Sequence, residues 1–313
     1  MNSHEKHFPH PGRGIMIGLA ILSTICFAAL PSFAESVLPA SSVLPGYAIV
    51  SVGSGATLNA NSGPIVGSVL VGNGSTTSSA GGGNGAITGV LDVSPPVSGN
   101  LLASLNTPPT VNMVDPTVGQ TAFSDAAALS AAASALTPTV GPLGNISGAQ
   151  TFTATGPLNV INIGNWSSPQ VTLVGGPNDY FIFNLTTMGT INTPMNIGGV
   201  DPAHILWNLT GTNTTVLQTA GCGNLPAGRF CEYGTFLATG TAARFQFSAL
   251  NLQGQLINTG GYTQFVSNSS MTSLVFNPVG IVPEPGPLAP LAAMAFGVVG
   301  LSGVLRRKQR RAN

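Results

Sequence analysis

The chain has 313 residues, a formal net charge of zero at pH 7, and only 6% charged side chains. Its basic residues concentrate at the two ends, so residues 35–281 carry two arginines against seven carboxylates and are mildly acidic. This balance excludes a basic surface for nucleic acid. The recurring Ile, Val, Leu and Phe exclude a disordered chain.

The N-terminal segment has the layout of a secretory leader. Lys6 and Arg13 precede an apolar run over residues 15–30, and a small residue, Ala34, follows it. The pattern predicts a helical signal peptide over residues 1–34, removed by signal peptidase after Ala34. The histidines at positions 4, 7 and 10 fall in this leader, so they predict no metal site.

The first half of the body predicts strands and one helix. Residues 47–52, 65–71 and 87–93 are short β-branched runs bounded by Gly, Asn or Pro. Residues 101–119 are proline-rich and predict irregular structure. The alanine-rich residues 121–136 predict the single helix of the body, because alanine is the best helix former. Its expected cap is Thr121 or Ser124, and its expected core face comprises Phe123, Ala126, Ala127, Ala133 and Leu136, with Leu129 near the edge.

Strand patterns return after the helix. They cover residues 158–163, 170–174, 180–185, 205–209, 235–239, 244–247, 251–257 and 262–266. They recur at intervals of about 20–25 residues, as coils of a β-solenoid do. The prediction is a mainly β fold over residues 35–281, a β-solenoid with the helix alongside, and the alternative is a β-sandwich.

Two cysteines remain after the leader, which contains Cys26. A disulfide between Cys222 and Cys231 would close a short loop and stabilise it by roughly 2–3 kcal/mol. A metal site would need further ligands, and the body has one histidine, His204. The Cys-x-x-Cys spacing of redox pairs is absent. We therefore predict a structural disulfide, no metal and no cofactor.

The C-terminal region, residues 282–313, combines three features. Val282, Pro283, Glu284 and Pro285 precede an uncharged run over residues 288–305, and an arginine-rich tail follows. A helix of that length spans roughly 27 Å, near the thickness of a bilayer core, so residues 288–305 predict a transmembrane helix. The basic tail predicts a cytoplasmic end. The alternative is a buried amphipathic helix with a solvated tail.

This order of features resembles the PEP-CTERM sorting signal of Gram-negative bacteria. The resemblance implies recognition at Val282–Pro285 by an exosortase, a membrane-embedded transpeptidase. It also implies an inner-membrane intermediate, followed by release to the cell envelope, outer surface or extracellular matrix of bacteria that make exopolysaccharide and biofilm.

The body has a second resemblance. Residues 199–208, read as Gly-Val-Asp-Pro-Ala-His-Ile-Leu-Trp-Asn, are similar to a stretch of choice-of-anchor A domains and of the ice-binding-like family long labelled DUF3494. Residues 234–238 and 254–257 resemble further segments of these domains, and residues 47–70 resemble their opening strands. The resemblance implies a right-handed β-solenoid with a helix packed alongside.

Two functions follow as expectations. The main one is a non-enzymatic structural or adhesion protein of the cell surface or matrix, whose partners include exopolysaccharide or other surface glycans. Trp166 and Trp207 are candidates for stacking on sugars, and also for the core. The alternative is ice binding, which needs a flat, regular array of short side chains. Threonines alternate at positions 151, 153 and 155, but the sequence does not show these runs repeating in register. The body aspartates are scattered and form no pair for acid–base catalysis, so no enzyme is predicted.

Overall fold

The computed structural model describes residues 38–60, 63–77, 85–99, 105–107, 109–167, 170–191, 194–211, 216–219, 230–241, 243–248, 251–266 and 269–278. The chain divides into two units, Met1–Glu35 and Ser36–Asn313, and all described residues belong to the second. The signal peptide, the sorting motif and residues 288–305 lie outside the described residues. In the part that is described, no helix is long and apolar enough to cross a membrane.

One α-helix, two 3₁₀ turns (Leu44–Gly46 and Pro202–His204) and 24 strands make up the regular structure of the described residues. The helix α1 is Pro116–Ala135. The strands are β1 (Ile49–Val52), β2 (Thr57–Ala60), β3 (Pro64–Val66), β4 (Val69–Gly72), β5 (Ser75–Thr77), β6 (Gly85–Ile87), β7 (Val90–Ser94), β8 (Val97–Gly99), β9 (Leu105–Thr107), β10 (Thr110–Met113), β11 (Val140–Ile146), β12 (Gln150–Thr153), β13 (Leu158–Trp166), β14 (Val171–Val174), β15 (Tyr180–Met188), β16 (Thr190–Ile191), β17 (Asn196–Gly198), β18 (Ile205–Leu209), β19 (Val216–Thr219), β20 (Glu232–Ala238), β21 (Arg244–Ser248), β22 (Asn251–Asn258), β23 (Tyr262–Val266) and β24 (Ser270–Ser273).

The strands form three sheets in which every described pairing is parallel. The long sheet has 14 strands and a main path β10-β7-β4-β1-β22-β20-β18-β15-β13-β11. The second sheet has seven strands, in the order β16-β19-β21-β23-β2-β5-β8, and the third sheet is β12-β14-β17. Between one strand of the main path and the next, except across α1, the chain passes through a strand of the second sheet, the third sheet or the branch β24-β3-β6-β9 of the long sheet, so it winds as a β-solenoid. The β-sandwich alternative is wrong, because sandwiches are built from antiparallel sheets.

The solenoid is built in two runs that meet in the middle. From β1 the coils progress outward to β10, and the chain then enters α1. After α1 it begins again at β11, the opposite end of the main path, and coils back to β22. There β22 pairs with β1, with Ile49 opposite Leu256 and Ser51 opposite Asn258. The first and the last coils are therefore neighbours.

The helix begins earlier than the sequence predicts. Asp115 is its cap and accepts a hydrogen bond of 2.8 Å from the backbone N–H of Thr117, with Pro116 at the first helical position. This pairing of an Asp cap with a proline is a strong start signal, and the predicted caps Thr121 and Ser124 lie inside the helix. The predicted core residue Phe123 is 37% exposed. The predicted core residue Ala127 is exposed as well, whereas Ala126, Leu129, Ala133 and Leu136 are buried. The buried side of α1 also includes Gly119, Ala122 and Ser130.

Several predicted strands are broken by corners of the solenoid. Residues 65–71 form two strands, β3 and β4, separated at Gly67, whose φ is 137°. Residues 87–93 likewise divide between β6 and β7. Residues 101–119, predicted to be irregular, contain β9, β10 and the start of α1. After the helix, the predicted strands lie at the observed positions, and their ends differ by a few residues.

A stack of aromatic rings fills the core between the sheets. Phe183 and Trp207 face each other in register on β15 and β18, with ring centroids 4.3 Å apart. Phe236 on β20 continues the stack at 5.7 Å, and Trp166 meets Trp207 edge-on at 5.6 Å. Both tryptophans have no exposed surface, so they are core residues and do not bind sugars.

An asparagine ladder joins α1 to the long sheet. Asn162, Asn184 and Asn208 are in register on β13, β15 and β18. Their side chains donate along the row, from Asn208 to Asn184 at 2.8 Å and from Asn184 to Asn162 at 3.0 Å. Ser130 of α1 donates its hydroxyl to Oδ1 of Asn208 at 2.7 Å. Asn184 also donates to the carbonyl of Ala133 at 2.9 Å. These bonds fix the position of the helix along the coils.

Candidate binding faces

The outer side of the second sheet carries a row of five residues in register, one from each of five adjacent strands. The row is Arg244, Tyr262, Thr57, Thr76 and Ser98. Neighbouring strands lie about 4.8 Å apart, so the row is roughly 19 Å long. The hydroxyl oxygens of Thr76 and Ser98 are 3.1 Å apart. On β2, β5 and β8 the side chains of the row are short and carry hydroxyl groups, and this part is called the short half. On β21 and β23 the side chains are longer, and this part is called the long half.

A second row, of amides, runs beside the first. Gln246 on β21, Gln264 on β23 and Asn59 on β2 are in register. Gln246 and Gln264 are half-buried, whereas Asn59 is 3% exposed and approaches the hydroxyl of Tyr262 at 3.4 Å. The alternating residues Phe245, Phe247 and Phe265 point into the core. Strand alternation therefore separates a polar outer side from an aromatic inner side.

The third sheet presents short side chains. Thr151, Thr172 and Asn196 form one row, and Thr153, Val174 and Gly198 form the next. All of these residues are exposed except Thr172, which is half-buried. Phe152 and Leu173 lie between the rows on the inner side. The sequence did not show register between threonine runs, but the structure places Thr151 beside Thr172.

A buried carboxyl lies beside the predicted disulfide. Cys231 is disulfide-bonded, and its partner lies outside the described residues, so pairing with Cys222 stays a prediction. The next residue, Glu232, has no exposed surface, and burial raises the pKa of its carboxyl well above the usual value. A disulfide sulfur has no proton, so Cys231 Sγ donates nothing at its 3.9 Å contact with Glu232 Oε1. Sequence patterns gave no signal for this burial.

His204 lies at a corner of the solenoid and not on a strand. It ends the 3₁₀ turn Pro202–His204, which Asp201 caps by accepting 2.9 Å from the N–H of Ala203. Its ring stacks on Tyr180 at 4.0 Å. Burial, and secondarily the charge of Asp201, raise the pKa of Tyr180. Among the described residues, no three His, Cys, Asp or Glu side chains are placed to hold a metal ion.

The remaining predicted site residues cannot be placed. Ala34, Cys222 and the motif Val282, Pro283, Glu284 and Pro285 lie outside the described residues. Signal cleavage and sorting therefore stay predictions.

The strand pairing and the packed helix define the class of this protein: a parallel β-solenoid with one helix alongside. No family model matches the chain, and no curated protein sequence matches it. Its fold is similar to that of solved ice-binding proteins. One from an Arctic yeast has 12% identity, covers 80% of this chain and 99% of its own, and has a TM-score of 0.47.

Two further solved structures are similar. An ice-binding protein from the Antarctic ascomycete Antarctomyces psychrotrophicus has 16% identity, coverage of 75% of this chain and 97% of its own, and a TM-score of 0.44. One from an Antarctic biological consortium has 17% identity, coverage of 78% and 94%, and a TM-score of 0.45. These similarities are distant, and they do not establish a function for this chain.

Proposed function

We propose that this protein is exported, has no enzymatic activity, and binds an extended surface through the flat outer sides of its sheets. Ice is the surface that the geometry supports best. The observation that carries this is the register of short hydroxyl side chains one coil apart, Thr57 with Thr76 and Ser98 on the second sheet and Thr151 with Thr172 on the third.

The physical reason is the regularity of a parallel sheet. Rows lie about 4.8 Å apart across strands, and outward residues repeat about every 6.6 Å along a strand. Short hydroxyl groups on such a grid hold water in an ordered, flat layer that can merge with an ice surface. The solved structures described above are of ice-binding proteins; the reason for proposing the same activity here is the register of the threonines.

Thermal hysteresis and ice recrystallisation of the purified protein test this function. We expect activity in the wild type and a several-fold loss in Thr76→Arg or Thr151→Arg, because a long charged side chain disrupts a flat array. Whichever variant loses activity identifies the sheet that binds. Thr110→Arg, at an exposed threonine of the terminal strand β10, is the matched control. A wild type without thermal hysteresis or recrystallisation inhibition rules out ice binding.

A second candidate is adhesion to the cell surface or extracellular matrix. The observation that favours it is the long half of the outer row, where Arg244 lies 5.6 Å over the ring of Tyr262 beside Gln246 and Gln264. Side chains of this kind suit glycans better than ice, because they bond hydroxyl groups and stack on sugar rings. Retention of the protein on the host's own exopolysaccharide tests it, and free elution contradicts it.

Export and sorting belong to the same proposal and rest on the sequence alone. Exosortase is expected to act at Val282–Pro285 after signal peptidase cleaves at Ala34. Mass spectrometry of the C-terminal peptide from envelope and extracellular fractions tests this step. Mature protein that ends near Pro285 supports sorting, whereas an intact arginine tail on envelope-associated protein shows a permanent anchor.

A further inference from the structure

The outer sides of β21 and β23 carry longer polar side chains than the hydroxyl rows of the other described strands. Arg244, Gln246, Tyr262 and Gln264, here called the arginine–amide patch, occupy adjacent strands in two registered pairs. Arg244 is exposed, and the other three are half-buried. Their outer ends are polar, while their aliphatic and aromatic parts pack on the sheet. The patch is a polar surface on two paired parallel strands.

The arginine–amide patch carries a positive charge. Across the described residues, Arg244 is the only arginine or lysine. No described carboxylate forms an ion pair with it, and its recorded contact is with the ring of Tyr262. Contact with an aromatic face orients a guanidinium without neutralising it. Its donors therefore remain available for a planar anion such as a carboxylate, which arginine binds in a bidentate manner.

The two glutamines indicate that the ligand is larger than a single anion. Gln246 and Gln264 offer donors and acceptors on adjacent coils, about 4.8 Å apart, which is close to the length of one sugar residue. A polysaccharide lying along the solenoid axis would place the hydroxyl groups of successive sugars opposite successive amides. One carboxylate of that chain would reach Arg244.

We propose that the arginine–amide patch binds an anionic, uronate-containing polysaccharide through Arg244, with Gln246 and Gln264 bonding the sugar hydroxyls. This rests on the second candidate function, adhesion, and gives its partner a chemical class. It is independent of ice binding, which depends on the short hydroxyl side chains.

The test is affinity electrophoresis of the full chain in detergent micelles, with alginate as the polyuronate and dextran as the neutral polymer. We expect binding to alginate only. Arg244 supplies the charge-assisted contact of the patch, so Arg244→Gln should weaken binding roughly tenfold. Gln264→Ala should weaken it by a few-fold. The matched control is Gln150→Ala, at a half-buried glutamine of the third sheet, and it should bind as the wild type does.

Salt and pH give a second readout. Binding should weaken as ionic strength rises, because exposed charges are screened. It should also weaken below about pH 3.5, where carboxyl groups of the polymer become protonated. Unchanged melting temperature of Arg244→Gln shows that the variant is folded.

Four results overturn the proposal in different ways. If Arg244→Gln binds alginate normally, the patch is not the site. Equal binding to alginate and dextran leaves adhesion standing but removes the anionic specificity. Binding to neither polymer removes adhesion together with the patch. Binding to phosphatidylglycerol vesicles but not to alginate makes the partner a membrane. In every case the ice assays on the same variants remain a separate result.

Discussion

The carboxyl group of Glu232 is the least expected feature at the scale of single residues. Its Oε2 atom is buried and has no hydrogen-bond partner among the described residues. An ionised carboxylate in such surroundings is strongly disfavoured. Burial therefore keeps this side chain as a neutral acid, which is how the chain accommodates it beside a disulfide-bonded cysteine.

This state makes stability depend on pH. Because the pKa of Glu232 is raised in the folded protein, the folded chain holds a proton that the unfolded chain releases above about pH 4.3. The contribution of this bound proton to the free energy of unfolding is fully present below that pH. It is lost as pH rises toward the pKa of Glu232 in the folded protein, with a slope of at most about 1.4 kcal/mol per pH unit. We expect Glu232→Gln to remove this part of the slope in melting curves between pH 4 and pH 8. The control Asp179→Asn, at a half-buried position in a turn, should keep the pH dependence of the melting curves. An unchanged slope in Glu232→Gln would show that Glu232 does not titrate in this way.

The side chain of Asn208 is the centre of the bonds between helix and sheet. It has no exposed surface, and it donates to the carbonyl of Ser130 at 3.0 Å in addition to its bonds with Asn184 and the Ser130 hydroxyl. Asn208→Ala leaves buried polar partners unsatisfied, so we expect a loss of about 2–4 kcal/mol in the free energy of unfolding. Urea denaturation measures it. Asn145→Ala, at an exposed asparagine, should change stability by less than about 0.5 kcal/mol, and equal losses in both variants contradict the role of the ladder.

At the scale of elements, α1 is fixed by small side chains. Ala122, Ala126 and Ala133 have no exposed surface, and the helix contacts six strands of the long sheet, which are β7, β4, β1, β20, β18 and β15. Alanines allow its backbone to approach the sheet closely, so that Ser130 reaches the asparagine row. The alanine-rich composition thus reflects close packing as well as helix propensity.

A pair of identical substitutions tests this packing. Ala126→Leu adds volume to a filled interface and should cost about 1–3 kcal/mol or displace the helix. Ala131→Leu makes the same change at an exposed position and should be nearly neutral. Thermal unfolding followed by circular dichroism compares the two, and similar melting temperatures indicate that α1 is only loosely packed.

At the scale of the whole molecule, the two runs of coils make the middle of the long sheet its most protected part. β1 and β22 are covered by coils on both sides, whereas β10 and β11 are the ends of the main path. All four residues of β10 are exposed. Coils of a solenoid stabilise only their neighbours, so the ends open more readily than the middle.

Hydrogen exchange should follow this order. We expect amides of β1 and β22 to exchange most slowly, and those of β10 and β11 to exchange fastest among the strands of the main path. The measurement is exchange mass spectrometry of the native protein. If β1 exchanges fast, as a strand near the start of the body would without the last coil beside it, the pairing of the first and last coils is contradicted.

The sequence and the structure agree most closely after the helix. The predicted strands there have four to nine residues and are marked by aromatic and β-branched side chains, as in Ile205–Leu209 and Tyr262–Val266, whereas β11, β12, β16, β17, β19 and β24 are not predicted. Before the helix the strands have three to five residues, and glycine corners such as Gly67 lie inside apparently continuous apolar runs. Local patterns do not distinguish a bent run from a straight one, so the sequence predicts single strands over residues 65–71 and 87–93.

For the candidate binding faces too, the sequence predicts part of the arrangement and the structure supplies the rest. Alternation along β21 separates the outward Arg244 and Gln246 from the inward Phe245 and Phe247, but the sequence predicts only a strand there and no binding face. Their neighbours across the sheet are not found from the sequence, because Tyr262 belongs to the next coil while Thr57 belongs to the first coils of the chain. The burial of Glu232 and of both tryptophans depends likewise on the coils above and below.

The sequence by itself determined the mainly β composition, the recurrence of strands, the single alanine-rich helix and the expected export signals. These properties are local, since they depend on residue type, spacing and order along the chain. Only the tertiary structure decided the pairing of β1 with β22, the asparagine contacts of α1 and the rows of Thr57, Thr76 and Ser98. The reason is that stacking register is set by how the coils bury their shared core, which no single coil specifies alone.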